Sequence, residues 1–88
     1  MEGLTVGRIV HYVLPSGPSK GDHRPAMVTR VWQPGGCIEG ICQLQVFTDG
    51  SNDGLANVEW RTSVRHHEPP IGSGEPHELN TWHWPERV

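Results

Sequence analysis

The sequence has no stretch long enough for an amphipathic helix, because eleven glycines and eight prolines interrupt its 88 residues. Apolar residues are also scarce, at 34%, and they form no run of the length that a membrane-spanning helix needs. What is present is a series of short runs rich in β-branched and aromatic residues, separated by turn residues. This pattern predicts an all-β protein.

Basic residues are few, and lysine is nearly absent. Seven Lys and Arg stand against ten Asp and Glu, for a formal net charge of -3, and Lys20 is the only lysine. This balance argues against nonspecific binding to nucleic acid, which needs a basic face. A small number of arginines instead favours selective, planar recognition of phosphate or carboxylate.

Cysteine is limited to Cys37 and Cys42, which is too few for a disulfide framework. The first ten residues, MEGLTVGRIV, contain neither a basic segment nor a long apolar one. We therefore expect a reduced, cytoplasmic protein with no membrane partner.

Five strands are predicted within one domain that spans residues 1–88 and has flexible loops at 15–24 and 66–79. The strands are expected at residues 7–14, 25–33, 41–48, 56–64 and 80–84. Five short strands without a helix indicate a small SH3-like barrel. The first and third strands carry apolar residues on both faces, which suggests a homo-oligomer in which another copy covers them.

Alternation along the fourth strand predicts an inward face with Val58, Trp60 and Val64, and an outward face with Arg61. Trp32 fits the inward periodicity of the second strand in the same way. Both tryptophans are therefore expected in the core.

Metal binding is not predicted. DGSNDG, at residues 49–54, lacks the twelfth-position Glu of a calcium loop and is expected to be a plain turn. The candidate zinc ligands have no zinc-site spacing, and Cys42 is expected in the core. These candidates are Cys37, Cys42, His66, His67, His77 and His83. No other cofactor is indicated.

Catalysis is not predicted either, because the sequence has no nucleophile elbow, phosphate loop or metalloprotease helix. The least improbable activity would be phosphodiester hydrolysis with His11, His23 or His83 as acid or base. The chain is therefore expected to bind rather than to react.

The C-terminal segment NTWHWPERV places Trp82 and Trp84 on one face of a strand and His83 on the other. The two tryptophans either close the core or form a surface on which a base stacks. In the second case Tyr12 or His83 could supply the opposite side or an edge hydrogen bond.

Arginines could complete such a site by holding phosphate. Arg24 would lie at a barrel rim and could meet a phosphate together with Arg61 and Arg65, or it could form only a surface ion pair. Hydrogen bonds to ribose or base edges are expected from Asp49, Thr62 and Ser63.

Three motifs carry a resemblance to a known family: HRPA at residues 23–26, LQVFTDG at 44–50 and TWHWPE at 81–86. Together they resemble a family of small proteins encoded by phages and prophages, over a match from Gly7 to Glu86. The resemblance implies a phage accessory protein in the cytoplasm of the infected bacterial host. It assigns no catalytic or binding residue.

Small phage barrels include anti-CBASS and anti-Thoeris sponges, which sequester cyclic oligonucleotides or ADP-ribose derivatives. By this analogy, the chain is expected to bind a nucleotide-derived immune signal without cleaving it. The alternative is a protein interaction module that inhibits a host defence protein or binds a phage structural protein through the aromatic rim of the barrel.

Overall fold

A computed structural model, which describes residues 2–32 and 40–86, shows five strands that close into one barrel. The strands are β1 (Ile9–Val13), β2 (His23–Val31), β3 (Cys42–Phe47), β4 (Val58–His66) and β5 (Thr81–His83). The only helical element among the described residues is a 3₁₀ turn at Gly50–Asn52. The predicted all-β fold and five-stranded barrel are confirmed.

Each of the first three strands runs antiparallel to the next, and β5 closes the barrel. This three-residue strand pairs antiparallel with β1, where Tyr12 faces Trp82, and parallel with β4, where Arg65 faces Thr81. The C-terminal segment is therefore the element that joins the two ends of the sheet. β2 begins at His23, inside the segment predicted as a loop.

The core lies along the inward faces of these strands. Cys42, Leu44 and Val46 alternate inward on β3 as predicted, and all three are fully buried. Tyr12 and Trp82 meet them from β1 and β5. Burial also raises the pKa of the Cys42 thiol to about 12, so Cys42 behaves as a small apolar side chain.

A bulge in β4 reverses the predicted faces of that strand. Leu44 pairs with Arg61 and Cys42 pairs with Val64, so β4 carries one more residue than β3 between these pairs. Ser63 absorbs the extra residue with a φ of 53°. Before the bulge the outward residues include Trp60, which is 54% exposed, so its predicted place in the core is wrong.

A second bulge explains Trp32, whose predicted core position is also wrong. The pairing of β2 with β3 shifts between Val28 and Arg30, and Val31 then pairs with the inward residue Cys42. Trp32 is therefore on the outward side, 39% exposed, with the Arg30 guanidinium 4.5 Å from the ring centroid. One added residue again exchanged the two faces.

Outward apolar side chains form a row across the sheet. Ile9 pairs with Met27, which pairs with Gln45, which in turn pairs with Trp60. The three apolar members are exposed. This face suits the predicted association with a second copy, and the homo-oligomer stays a prediction.

The turn predicted in DGSNDG closes one end of the barrel through a buried carboxylate. Arg24 donates to Asp53 from Nε at 2.9 Å and from Nη2 at 2.7 Å, and the Asp49 amide donates to it at 2.7 Å. The Arg24 guanidinium, followed by the Asp49 amide, holds the pKa of Asp53 well below its usual range. The turn and the start of β2 are thereby tied together.

Replacing Asp53 with Asn should lower the melting temperature at pH 7 by several degrees, because an amide group would face the Arg24 guanidinium. Since the folded pKa of Asp53 is depressed, its stabilisation is present above its unfolded pKa, near 3.9, and is lost as pH falls through the folded pKa. The difference in melting temperature between wild type and Asp53→Asn should therefore narrow below about pH 4. Thermal melts followed by circular dichroism from pH 7 to low pH measure this difference, with Asp49→Asn, at an exposed position, as the control. A difference in melting temperature that did not change with pH would contradict the role of the Asp53 carboxylate.

Candidate metal centre

Three histidines from three strands meet on the outer face of the barrel. His11 on β1 lies opposite His83 on β5, and His23 on β2 lies opposite Val13, two residues along β1 on the same face. Because Tyr12 points into the core between His11 and Val13, these positions point outward. The strand register, rather than closeness in sequence, assembles this group.

Glu86 adds a carboxylate to the three imidazoles. Its Oε2 lies 2.5 Å from His11 Nδ1, its Oε1 lies 2.5 Å from His23 Nδ1, and Oε1 also contacts His83 Nε2. One ligand atom from each residue can be chosen so that all four lie within 4.8 Å of one another. We call His11, His23, His83 and Glu86 the His–Glu cluster.

The cluster has a buried floor and an open rim. The His83 side chain is 1% exposed, whereas the exposed fractions are 29% for His11, 31% for His23 and 41% for Glu86. His77, from the connection between β4 and β5, stacks on His83 with ring centroids 3.8 Å apart and meets the His23 ring at 4.9 Å. The connection thus covers the floor and leaves the rim accessible.

The protonation states suit a cation. Burial lowers the pKa of His83 to about 4, against the opposing effect of its hydrogen bond with Glu86. Burial disfavours the Glu86 carboxylate, but hydrogen bonds from its own amide and from the three histidines outweigh this and lower its pKa to about 2. At neutral pH the cluster therefore combines an ionised carboxylate with a neutral imidazole at its floor.

The donor set and its dimensions fit a first-row transition metal. Neutral imidazole and carboxylate are common zinc ligands, at about 2.0–2.2 Å from the ion, which puts ligand atoms roughly 3–4 Å apart. The present separations lie on both sides of that range: His11 Nδ1 is 2.5 Å from Glu86 Oε2, and the four chosen atoms are up to 4.8 Å apart. Shifts of about 1 Å or less in the side chains would bring the four atoms to ligand distance.

The other nitrogen of His83 has an unusual setting. Nδ1 is buried and has no hydrogen-bond partner among the described residues. If Nε2 binds an ion, Nδ1 must carry the proton, and ligating histidines usually pass that proton to an acceptor. Among the described residues, His83 Nδ1 has no such acceptor.

Sequence spacing alone missed the cluster as a metal site. His11 and His23 are expected only as possible acid or base groups, whereas His83 is also a zinc candidate and a possible partner of a stacked base. Glu86 is not among the predicted site residues. Of the predicted zinc candidates, Cys37 lies outside the described residues. Three of the others are engaged elsewhere: Cys42 lies in the core, His66 contacts Glu68 at 2.7 Å, and His67 accepts from the Glu78 amide. His77 stacks on His83 at the edge of the cluster.

The two C-terminal tryptophans pack together rather than forming an open stacking pair. Trp82 is fully buried and donates from Nε1 to the Gly40 carbonyl at 2.7 Å. Trp84 is partly buried, meets Trp82 edge to face at 5.0 Å and lies 5.1 Å from the Arg8 guanidinium carbon. Of the two alternatives left open by the sequence, Trp82 closes the core.

Tyr12 and the predicted phosphate ligands Arg24 and Arg61 lie at one end of the barrel. Tyr12 is buried and donates to Asn80 Oδ1 at 2.5 Å. It pairs in register with Arg24, whose guanidinium is held by Asp53. Arg61 faces inward beside the Tyr12 hydroxyl and contacts Glu59 at 3.3 Å.

The remaining predicted ligand residues lie elsewhere. Thr62, Ser63 and Arg65 are exposed on and after the β4 bulge, and Asp49 is exposed at the 3₁₀ turn. Thr62 donates to the Gln43 side chain at 2.8 Å, and Arg65 donates to Glu78 at 3.3 Å. No ligand-sized cavity is found among residues 2–32 and 40–86.

Within those residues no helix has both the length and the apolar character needed to cross a membrane. No protein-family model, curated protein or solved structure matches the chain.

Proposed function

We propose that this protein binds a divalent transition-metal ion and that the His–Glu cluster is its functional site. The observation that supports the proposal is the convergence of three imidazoles and one carboxylate, with ligand atoms within 4.8 Å. A majority of imidazole ligands favours zinc, cobalt, nickel, copper or iron over calcium and magnesium. Zinc is the natural first probe because its usual ligands match this donor set.

The competing explanation is a purely structural role. Glu86 could accept hydrogen bonds from all three histidines and so fasten the C-terminal segment to β1 and β2. The partly exposed rim fits either role, because polar side chains at a surface are normally exposed, and the metal proposal therefore rests on the donor set and its convergence. The two roles also differ in a measurable way, since only one of them needs an ion.

We expect a moderate rather than an extreme metal affinity. Binding through His83 Nε2 would leave a buried Nδ1 proton with no acceptor among the described residues. An unmet buried donor costs about 1–3 kcal/mol, which is roughly a 5- to 150-fold loss of affinity relative to a fully supported site.

Isothermal titration of chelator-treated protein with zinc tests the proposal. Wild type should bind one equivalent, and His23→Ala should weaken binding by roughly 100-fold or more, because a direct ligand matters more than an outer partner. His67→Ala is the matched control, since His67 belongs to the connection but not to the cluster. Equal zinc affinity in all three proteins would contradict the proposal.

Sequestration of a nucleotide-derived immune signal stays a prediction from the resemblance. The side chains expected to hold such a ligand are divided among the core, the end of the barrel and the bulge of β4. The interaction module also stays a prediction, and the outward row of Ile9, Met27 and Trp60 is the surface that would serve it.

A further inference from the structure

We propose that the ion in the His–Glu cluster directly binds an exogenous anionic oxygen ligand, a phosphate or a carboxylate, on its exposed side. The inference rests on the proposed metal site and specifies what that site holds. It follows from three features of the cluster: its open rim, its net charge and the way in which Glu86 now occupies it.

The open rim leaves coordination positions free for solvent or ligand. His83 lies at the floor, and His11, His23 and Glu86 surround it with partly exposed side chains. An ion held by these four groups would therefore have protein beneath it and water above it. Zinc with four protein donors is usually closed at four ligands, whereas other first-row divalent ions accept five or six, so for those ions one or two positions remain on the exposed side.

The charge of the loaded centre favours an anion. A divalent ion with three neutral imidazoles and one carboxylate has a net charge of +1. Arg24, which follows His23, already holds Asp53, so its charge is largely neutralised. Arg87, which follows Glu86, lies outside the described residues. The ion itself would supply a positive charge for a negative ligand, in a protein whose overall charge is -3.

Glu86 shows that a carboxylate fits among the three imidazoles. Oε1 contacts both His23 and His83, and Oε2 contacts His11, so the two oxygens of one group reach all three rings. The group arrives on a short segment that follows β5 and Pro85, on the exposed side of the cluster. Because Glu86 remains a ligand of the loaded ion, an added carboxylate or phosphate oxygen must use one of the positions that the four protein donors leave open on this side.

Cobalt makes the inference testable, because the visible spectrum of Co²⁺ changes with its coordination number and ligands. Cobalt-loaded wild type should show a saturable spectral change when inorganic phosphate or acetate is added. ADP-ribose and a cyclic dinucleotide form separate arms of the test. A response at tenfold lower concentration than inorganic phosphate would identify a nucleotide phosphate as the preferred source.

Removing Glu86 gives a second, opposite test. Glu86→Ala should bind cobalt at least tenfold more weakly than wild type, and acetate should restore several-fold of that affinity by filling the vacated position. His67→Ala should respond as wild type does. Circular dichroism reports whether Glu86→Ala is folded, and Glu86→Gln, which keeps the side-chain length, replaces it if it is not.

The outcomes separate the two proposals. If wild type binds no cobalt or zinc, the metal site itself is wrong. If cobalt binds, but neither phosphate nor acetate alters its spectrum and acetate does not improve binding to the Glu86 variant, the ion is held but has no anion site, and this inference is overturned.

Discussion

Replacing Trp82 with alanine should lower the free energy of unfolding by about 3–5 kcal/mol, the range for removing a large buried aromatic side chain. Trp82 is fully buried among Val10, Leu44 and the other core residues, and its indole donates to the Gly40 carbonyl. The substitution would leave a cavity beside β5, the strand that closes the barrel, and would leave the Gly40 carbonyl without this donor. Urea unfolding followed by circular dichroism measures the change.

The other tryptophans provide graded controls. Trp84→Ala should cost less because its side chain is only partly buried, and Trp60→Ala should change stability least because Trp60 lies on the outer face. Small domains have only about 5–15 kcal/mol of stability. If Trp82→Ala does not fold well enough to titrate, Trp82→Phe takes its place, with a smaller expected loss. If Trp82→Phe and Trp82→Ala both unfolded at the wild-type urea concentration, Trp82 would not be a core residue.

The five strands could be predicted because their local signals agree. Short runs of β-branched and aromatic residues end at glycine and proline clusters, and β3 also alternates strictly between buried and partly exposed residues from Cys42 to Val46. A barrel follows from five such strands, because each has an apolar face that must be covered. Closure by β5 against β1 is the one pairing between distant parts of the chain.

The positions of Trp32 and Trp60 could not be predicted, because each depends on a bulge. Alternation assigns a residue to a face only while the register is unbroken, and one inserted residue exchanges the faces beyond it. The β4 bulge passes through Ser63 at positive φ, and serine gives little sequence warning of that conformation. The error therefore lies in register rather than in the assignment of strands.

The His–Glu cluster could be predicted only in part. Alternation along β5 correctly predicted that the side chains of Trp82 and His83 point to opposite faces, with His83 outside the apolar core. His11 and Glu86, however, are separated by 75 residues in sequence, and they meet only because β5 pairs with β1. Ligand searches based on sequence spacing group neighbours such as Cys37 and Cys42, and they do not detect a site built by strand register.

Saturating zinc should raise the melting temperature of the wild-type protein by about 10–20 °C. A ligand that binds only the folded state at 100 times its Kd stabilises it by about 2.7 kcal/mol, and each kcal/mol corresponds to about 4–8 °C for a domain of this size. The unfolded chain cannot hold the site together, because its ligands come from β1, β2, β5 and the segment that follows β5. Scanning fluorimetry with increasing zinc measures the shift.

A chelator should reverse the shift, magnesium should not reproduce it, and His23→Ala should lose most of it, because each of these changes acts on the ion or its ligands. A different result would assign the cluster another role. If zinc left the melting temperature unchanged while Glu86→Ala lowered it by several degrees, Glu86 would be a hydrogen-bond acceptor that fastens the C-terminal segment to the barrel. The three histidines would then stabilise the closure of β5 against β1 without any ion, and the metal proposal would be wrong.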